Sequence, residues 1–482
     1  MQKSRVRRVG ALLVGLALVA SACGDDKGST DTVAPVTTEA AAPDTTEAAA
    51  PETTEPAPET TTGDTTPAGP AKCGQADGDV TDGELAGFAG ATPFGEGGTE
   101  AGFIDRLCEV DPNLIDLNYA AETYDAVIIT ALAMEIAGTD GIEYASEING
   151  VTRDGEKCTE YTECVALIAA GTDIDYDGVA GPLTFTGNGE PLQATYGFLT
   201  MGDNNRIDPS LTEFISVDGT GTDADVPEVP VEGDRAGDGE VNISGILPIT
   251  GSLAFLGAPM IAGYNLGIAE LNAAGGVLGV EVTGTAKDSG DTSTDEAVKS
   301  ADVLLSENVD AIIGTASSSV TKTILDKVTS AGVVLFSPAN TSPELSTLPD
   351  KGLYVRTAPP DIYQGTVIGQ YVMQEGNQTV AILALNDSYG TGLAEQATAA
   401  ITAGGGEVVL TKIYDPAATS FATEVDEVVA ADPDAIIVIG FNESSLILRT
   451  MVEKGIGPKV KNVYGCDGNI GNGLGVDFDA GK

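Results

Sequence analysis

The sequence predicts an α/β fold built on mainly parallel, doubly wound sheets, and three observations carry that reading. From residue 241 onward short β-branched runs alternate with amphipathic helical stretches, and strands and helices alternating at this length imply right-handed βαβ units. A strand-poor segment over residues 83–218 stands in front, separated from the first by an Asp/Gly/Pro-rich stretch from Gly219 to Gly239 with the composition of a linker. Ahead of both come a leader and a low-complexity tract, so the 482 residues leave room for two or three packed units.

The leader, residues 1–22, carries Lys3, Arg5, Arg7 and Arg8, an apolar run from Val9 to Val19, and then Ala20-Ser21-Ala22-Cys23. This is the layout of a secretory signal, and the run is too short to span a bilayer. Small residues directly before a Cys resemble a bacterial lipobox, with Ala20 where Leu is commoner. The motif implies cleavage before Cys23 and lipidation of Cys23, which anchors the chain to the outer face of the cell membrane; an ordinary signal with a chance Cys is the plainer alternative. Residues 23–72 form the tether: from about Gly28 to Pro70 they are almost only Thr, Glu, Ala, Pro and Asp. They offer too little apolar surface to offset ordering entropy.

In the front segment, residues 99–110 and 121–137 read as helices, the second placing Val127, Ile128, Ala131, Leu132 and Met134 on one apolar face. Alone the segment has too few strands to close an α/β unit, and it shares no internal repeat with the back segment. In the back segment strands are predicted at 241–247, 280–286, 311–313, 333–336, 379–385, 407–413 and 435–439, with helices at 259–272 and 295–307.

Composition narrows the function. Lys and Arg total 23 against 73 Asp and Glu, a net charge of −50, which repels nucleic acid and anionic headgroups. The chain has no His, the residue most used as general base or zinc ligand near neutral pH, so an enzyme is disfavoured. Asp173-Ile174-Asp175-Tyr176-Asp177-Gly178 spells the start of a calcium loop, but the twelfth position is Thr184 and not the bidentate Glu such a loop needs. The glycine clusters at 390–392 and 468–475 lack a nucleotide fingerprint. No metal and no cofactor is predicted.

Leu247-Pro248-Ile249-Thr250-Gly251, Leu271-Asn272-Ala273-Ala274-Gly275-Gly276, Phe336-Ser337-Pro338-Ala339-Asn340-Thr341 and Tyr389-Gly390 are similar to the wording of type I periplasmic binding proteins, specifically the leucine/isoleucine/valine receptors of ABC importers. The match spans 240–482 and ends just after Tyr464-Gly465-Cys466-Asp467-Gly468-Asn469, where similar proteins continue. Gly83-Glu84-Leu85-Ala86-Gly87, the Tyr119 to Ala126 helix and Gly181-Pro182-Leu183 resemble that missing last third. The resemblance therefore implies a two-lobed fold in circularly permuted order, the usual end and start being joined through residues 219–239. As a flexible coil that linker reaches on the order of 25 Å. An accidental fusion of two truncated relatives is the alternative, and the complementary fit of the pieces argues against it. Lobe 1 is then 240–357 with 93–190, and lobe 2 is 358–482 with 83–92 and 191–218. Chain crossings at 356–359, 87–92 and 190–195 become the hinges.

Ligands of open parallel sheets bind beyond the carboxyl ends of the strands, against helix N-termini. Two such places are readable: 310–313 running into Gly314-Thr315-Ala316-Ser317-Ser318-Ser319, and 333–336 running into Ser337-Pro338-Ala339-Asn340-Thr341. Hydroxyls and backbone N–H groups there suit a carboxylate, although Ser317 and Ser318 equally read as helix caps. The resemblance assigns Ser318, the Ala339 carbonyl and Thr341 to an amino acid's polar head, with Ser317 beside them. It makes Asp467 the counter-ion of the ammonium group, where the residue alone reads as a turn aspartate. Tyr389 and Phe441 from lobe 2, with Leu256 and Tyr124 from lobe 1, wall the pocket. Leu256 stands where an aromatic is common and Phe441 where a Tyr is common, so the pocket is more apolar than in the family pattern. An apolar or branched-chain amino acid fits; a small amide, urea or an aromatic compound is the alternative.

The implied mechanism is hinge closure of a monomer over its ligand, followed by delivery to a membrane permease, with sensing without a permease as the alternative role. Of the cysteines left after Cys23, Cys158 and Cys164 flank a short loop, as in a bridge common in exported relatives; a second bridge from Cys73 to Cys466 is the further expectation. One thiol is left over.

Overall fold

Val241–Leu247, buried on both faces, is an inner strand of the smaller of two main sheets. The computed structural model describes residues 7–8, 73–93, 101–219 and 226–481; Cys23 and the tether lie outside them. In this sheet the order is 286–288, 241–247, 311–314, 334–337, 354–356, all parallel, with 282–283 also pairing to 241–247. Continuous apolar runs such as Ala311-Ile312-Ile313 suit strands covered on both sides. Helices Ala254–Ala273, Glu296–Ser306 and Ser318–Ser330 return the chain between them.

The front segment supplies a further helix to this lobe. Ala120–Ala137 packs along 254–273 and over the strands 311–314 and 334–337. The contact is close: a Cβ at Gly263 would strike the Ala120 carbonyl, and one at Gly267 would lie 3.0 Å from Val127. Every residue from Ala120 to Met134 is buried, so the single apolar face read from the sequence is replaced by burial all round, as a helix sandwiched between layers requires.

The larger sheet shows the same merging of front and back. Its order is 213–218, 193–200, 89–93, 462–465, 435–439, 379–385, 407–414, with Arg7–Arg8 at the outer edge beside 213–218. The four back strands and 89–93 run parallel, while 193–200 and 213–218 add as antiparallel strands. Strands of the front segment thus complete a sheet begun by the back one. A small sheet of 156–158, 174–178 and 181–182 completes the described strands.

Several expectations need correction. The helix expected from Pro259 starts at Ala254, with Pro259 inside it, because an extra turn precedes the proline. The strand expected over 280–286 breaks into 282–283 and 286–288, at Gly284, where a Cβ would meet the Ile243 carbonyl. The crossing expected at 87–92 is largely the buried strand Ala89–Pro93. Nor does the far part of the linker behave as free coil. Val229 donates to the Gly187 carbonyl at 3.2 Å, Asp140 accepts from the Asp238 and Gly239 N–H groups at 2.8 and 3.0 Å, and Arg235 pairs with buried Asp310.

Buried polar ties cross between the segments. Arg356, fully buried, binds Glu190 (Nε to Oε2 3.0 Å) and donates to the carbonyls of Asn340 and Ser342 at 3.2 and 3.0 Å. The Asp116 carboxylate accepts from the N–H groups of Asn472 and Gly473 at 2.6 and 2.8 Å, at the start of helix Asn472–Ala480. Burial pushes Asp116 up to about 6. The folded form therefore holds this proton more tightly than the unfolded chain, and its contribution to stability grows as pH falls from 7 towards 4. Urea melts at pH 5 and 7 should show the stability difference between wild type and Asp116→Asn move in favour of wild type at the lower pH; a difference unchanged between the two pH values contradicts this.

Cys158–Cys164 is bridged, and so is Cys73–Cys108. The expected Cys73–Cys466 bridge does not form, because Cys466 is a buried free thiol in the core, 2.9 Å from the Tyr389 hydroxyl. Replacing Cys73 and Cys108 by Ser is expected to cost about 3–4 kcal/mol by the loop-closure argument, read from chemical denaturation; a loss below 1 kcal/mol would show that this loop is already constrained when unfolded. In the calcium-like stretch Lys157 sits 2.9 Å from both Asp175 and Asp177.

Candidate functional site

Two strand-to-helix junctions of the smaller sheet face the carboxyl edge of the larger one. After Ala311–Gly314 the chain turns into helix Ser318–Ser330, capped by the Ser317 hydroxyl accepting from Val320 N–H at 3.4 Å. After Val334–Ser337 it forms the 338–342 loop, and Asn340 locks the two together. Its amide donates to the Thr315 and Ala316 carbonyls (2.9 Å each), and its oxygen accepts from Thr321 and Tyr354 at 2.7 and 3.0 Å. The Ser318 hydroxyl accepts from Ser342 N–H at 3.3 Å, which leaves its own hydrogen to donate. The helix-cap reading thus holds for Ser317, while Ser318 and Thr341 point their hydroxyls elsewhere, that of Thr341 being buried and turned toward Asp361.

Opposite them stands Asp467, just past strand Asn462–Gly465. Gly468 follows it, where a Cβ would come within 2.6 Å of the Gly440 carbonyl and 2.9 Å of the Tyr389 hydroxyl, so only glycine brings the turn this close. Asp467 accepts from Tyr119 Oη at 2.6 Å and Tyr389 Oη at 2.7 Å. Asp361 opens helix Asp361–Gln374, fully buried, its N–H donating to the Thr341 carbonyl at 2.7 Å; Gln364 Oε1 is unpartnered. Burial first, and then the charge of Asp467, hold Asp361 well above the ordinary carboxylate range, against the easing effect of Thr341 and Arg356. Asp467 is also raised by burial, against the hydroxyls of Tyr119 and Tyr389 and the Gln364 amide.

Eight of the nine residues expected at the site, Ser317, Ser318, Ala339, Thr341, Tyr389, Phe441, Asp467 and Leu256, line one small cavity. Tyr389 and Phe441 stack with centroids 5.5 Å apart; with Leu253, Leu256 and Ala316 they make an apolar wall. Across the mouth Ser388 N–H donates to Ser319 Oγ (3.2 Å) and Ser342 Oγ to the Ser388 carbonyl (3.0 Å), so the lobes are closed on each other.

Tyr124 is the exception. Its hydroxyl donates to Glu270 at 2.6 Å, its ring meets Phe103 edge-on at 5.7 Å, and the Arg106 guanidinium lies 5.6 Å from it. Tyr119 lines the cavity in its place. The helix begins at Ala120, so the residue just before it faces the cleft, whereas Tyr124, more than a turn later, faces helix 254–273. Asp361 was also missed. An acid at a helix start after Pro359-Pro360 reads as routine macrodipole compensation, and nothing local says that it is buried beside Asp467.

Residues 240–476 match the family model described as periplasmic binding protein. The chain is 27% identical over 217 residues to the Leu/Ile/Val-binding protein BraC3 of Rhizobium johnstonii, covering 44% of this chain and 58% of that protein. It is 27% identical to the leucine-, isoleucine-, valine-, threonine- and alanine-binding protein of Pseudomonas aeruginosa, covering 43% and 56%. The chain thus spans less than two thirds of the length of these relatives. Among solved structures, LivJ of Streptococcus pneumoniae in complex with isoleucine is similar at 28% identity and a TM-score of 0.42, covering 48% of this chain and 64% of that one. By their sequence match and their parallel α/β sheets, residues 240–476 belong to the periplasmic binding protein family, and the chain is similar there to branched-chain amino-acid binding proteins.

Proposed function

We propose that the chain is an extracytoplasmic solute-binding lipoprotein that captures an apolar amino acid between its lobes by hinge closure and hands it to an ABC permease. It acts as a monomer, anchored through Cys23, and performs no covalent chemistry. The observation that carries this is the cavity's polarity. A buried acid, Asp467, stands across from the Ser317, Ser318 and Thr341 hydroxyls and a helix N-terminus, around an apolar wall. Such a set matches a small molecule that brings an ammonium group, a carboxylate and a short apolar side chain.

The test is a thermal-shift screen against amino acids, short amides and hydroxybenzoates. A ligand present at a hundred times its Kd stabilises the folded form by about 2.7 kcal/mol, or roughly 3–8 °C here. A shift with leucine, isoleucine or valine supports the reading; no shift with any amphoteric compound overturns it. We also propose that the chain order is circularly permuted. The support is that front strands complete the back segment's sheet. A rearranged chain, 240–481 followed by 74–218, is expected to melt within a few degrees of the original and to bind the same ligand; failure of that order to fold, with the natural order stable, contradicts the permutation.

A further inference from the structure

We propose that the chain carries a second small-molecule site, apart from the interlobe cavity, which takes a small organic amine with an apolar body against the Asp350 carboxylate.

The site is a cavity of about 340 Å³ where three parts of the chain meet: 145–149 and 187–189 of the front segment, 228–231 of the linker, and 350–355 of the back segment. That volume falls within the range of about 300–1,000 Å³ usual for small-molecule pockets. It shares no lining residue with the interlobe cavity. The linker is held across it as a strap. Val229 N–H donates to the Gly187 carbonyl at 3.2 Å, Glu232 N–H donates to the Lys351 carbonyl at 2.9 Å, and Glu228 pairs with Arg153. Glycines let the strap come this close: a Cβ at Gly187 would lie 2.3 Å from the Val226 carbonyl oxygen, and one at Gly352 2.8 Å from that of Val229.

Asp350 is the group that needs a partner. It is only 7 % exposed, and its carboxylate accepts from backbone N–H groups alone, that of Gly352 at 2.9 Å and its own. The nearby basic side chains are taken: Lys351 donates to Ser330 Oγ at 2.8 Å, and Arg153 holds Glu228 and the Phe185 carbonyl. A buried carboxylate without a cation is costly. In the same lining Asn149 Oδ1 is buried and also lacks a donor. Both groups are acceptors, so the complement is a donor that carries positive charge, and an ammonium brings three N–H groups. Val229, Val231 and Val355 add apolar lining for the rest of the molecule. Asp350 and Glu228, in a chain of net charge −50, disfavour an anion.

The experiment is calorimetric titration of the full chain with isobutylamine and with phenethylamine, each alone and with excess L-leucine, with isobutanol as the neutral control. The expected result is saturable amine binding at one site, unchanged by leucine and by Asp467→Asn, and weakened at least tenfold by Asp350→Asn. Should Asp350→Asn fail to fold, Val229→Trp, at a strap residue 40 % exposed, fills the cavity and is expected to abolish binding. No saturable binding of either amine to wild type overturns the second site. So does binding that Asp350→Asn leaves within threefold, binding that survives Val229→Trp, or isobutanol binding as tightly as isobutylamine. Amine binding that leucine or Asp467→Asn abolishes places the amine in the interlobe cavity, which overturns this site and leaves the amino-acid reading standing.

Discussion

Asp467→Asn is expected to weaken binding of L-leucine by roughly 30- to 1,000-fold, about 2–4 kcal/mol, without lowering the melting temperature. Asp467 is the acid that two tyrosine hydroxyls orient from opposite lobes, Tyr119 from the front segment and Tyr389 from the back. The amide keeps its shape and one acceptor but loses the charge that an ammonium group needs in a site shielded from water. Stability moves the other way, because burial disfavours the ionised acid, and a neutral group removes that penalty. Calorimetry paired with a thermal melt separates the two. An affinity within threefold of wild type removes Asp467 from the ligand; a large loss of both affinity and stability makes it a structural residue.

The second large effect is on stability. Arg356→Met leaves Glu190 buried without its cation and strips donors from the Asn340 and Ser342 carbonyls; breaking such a pair costs about 3–5 kcal/mol. The double variant Arg356→Met with Glu190→Leu should recover part of this, since two apolar groups remove the stranded charge. Recovery stays incomplete because the loop carbonyls still lack donors. Urea denaturation of the single and double variants measures the difference. A single variant within 1 kcal/mol of wild type contradicts this role for the pair. The tie matters for function because the loop it holds carries Ala339 and Thr341, and Arg356 N–H also donates to the Gly189 carbonyl at 2.8 Å.

Most of the back segment was legible because its strands are continuous β-branched runs bounded by helices of strong period, as at Thr379–Leu385 and Ala435–Ile439. The front segment was harder. Gln193–Thr200 and Glu213–Asp218 are partly exposed, mixed-polarity strands whose partners lie elsewhere in the chain, and local pattern says little about non-local pairing. At the site, residues in sequence-distinct loops such as Ser318, Thr341 and Asp467 could be named from motif. Tyr119 and Asp361 could not, because their roles depend on burial and on which lobe they face.

The most direct measurement is a crystal structure of the chain grown with L-leucine. The predicted result is the amino acid in the cavity, its amine within hydrogen-bond distance of Asp467 and its carboxylate against Ser318 and the start of helix 318–330. Leucine bound elsewhere, or a cavity in which the front and back segments no longer contribute to one cleft, would contradict it.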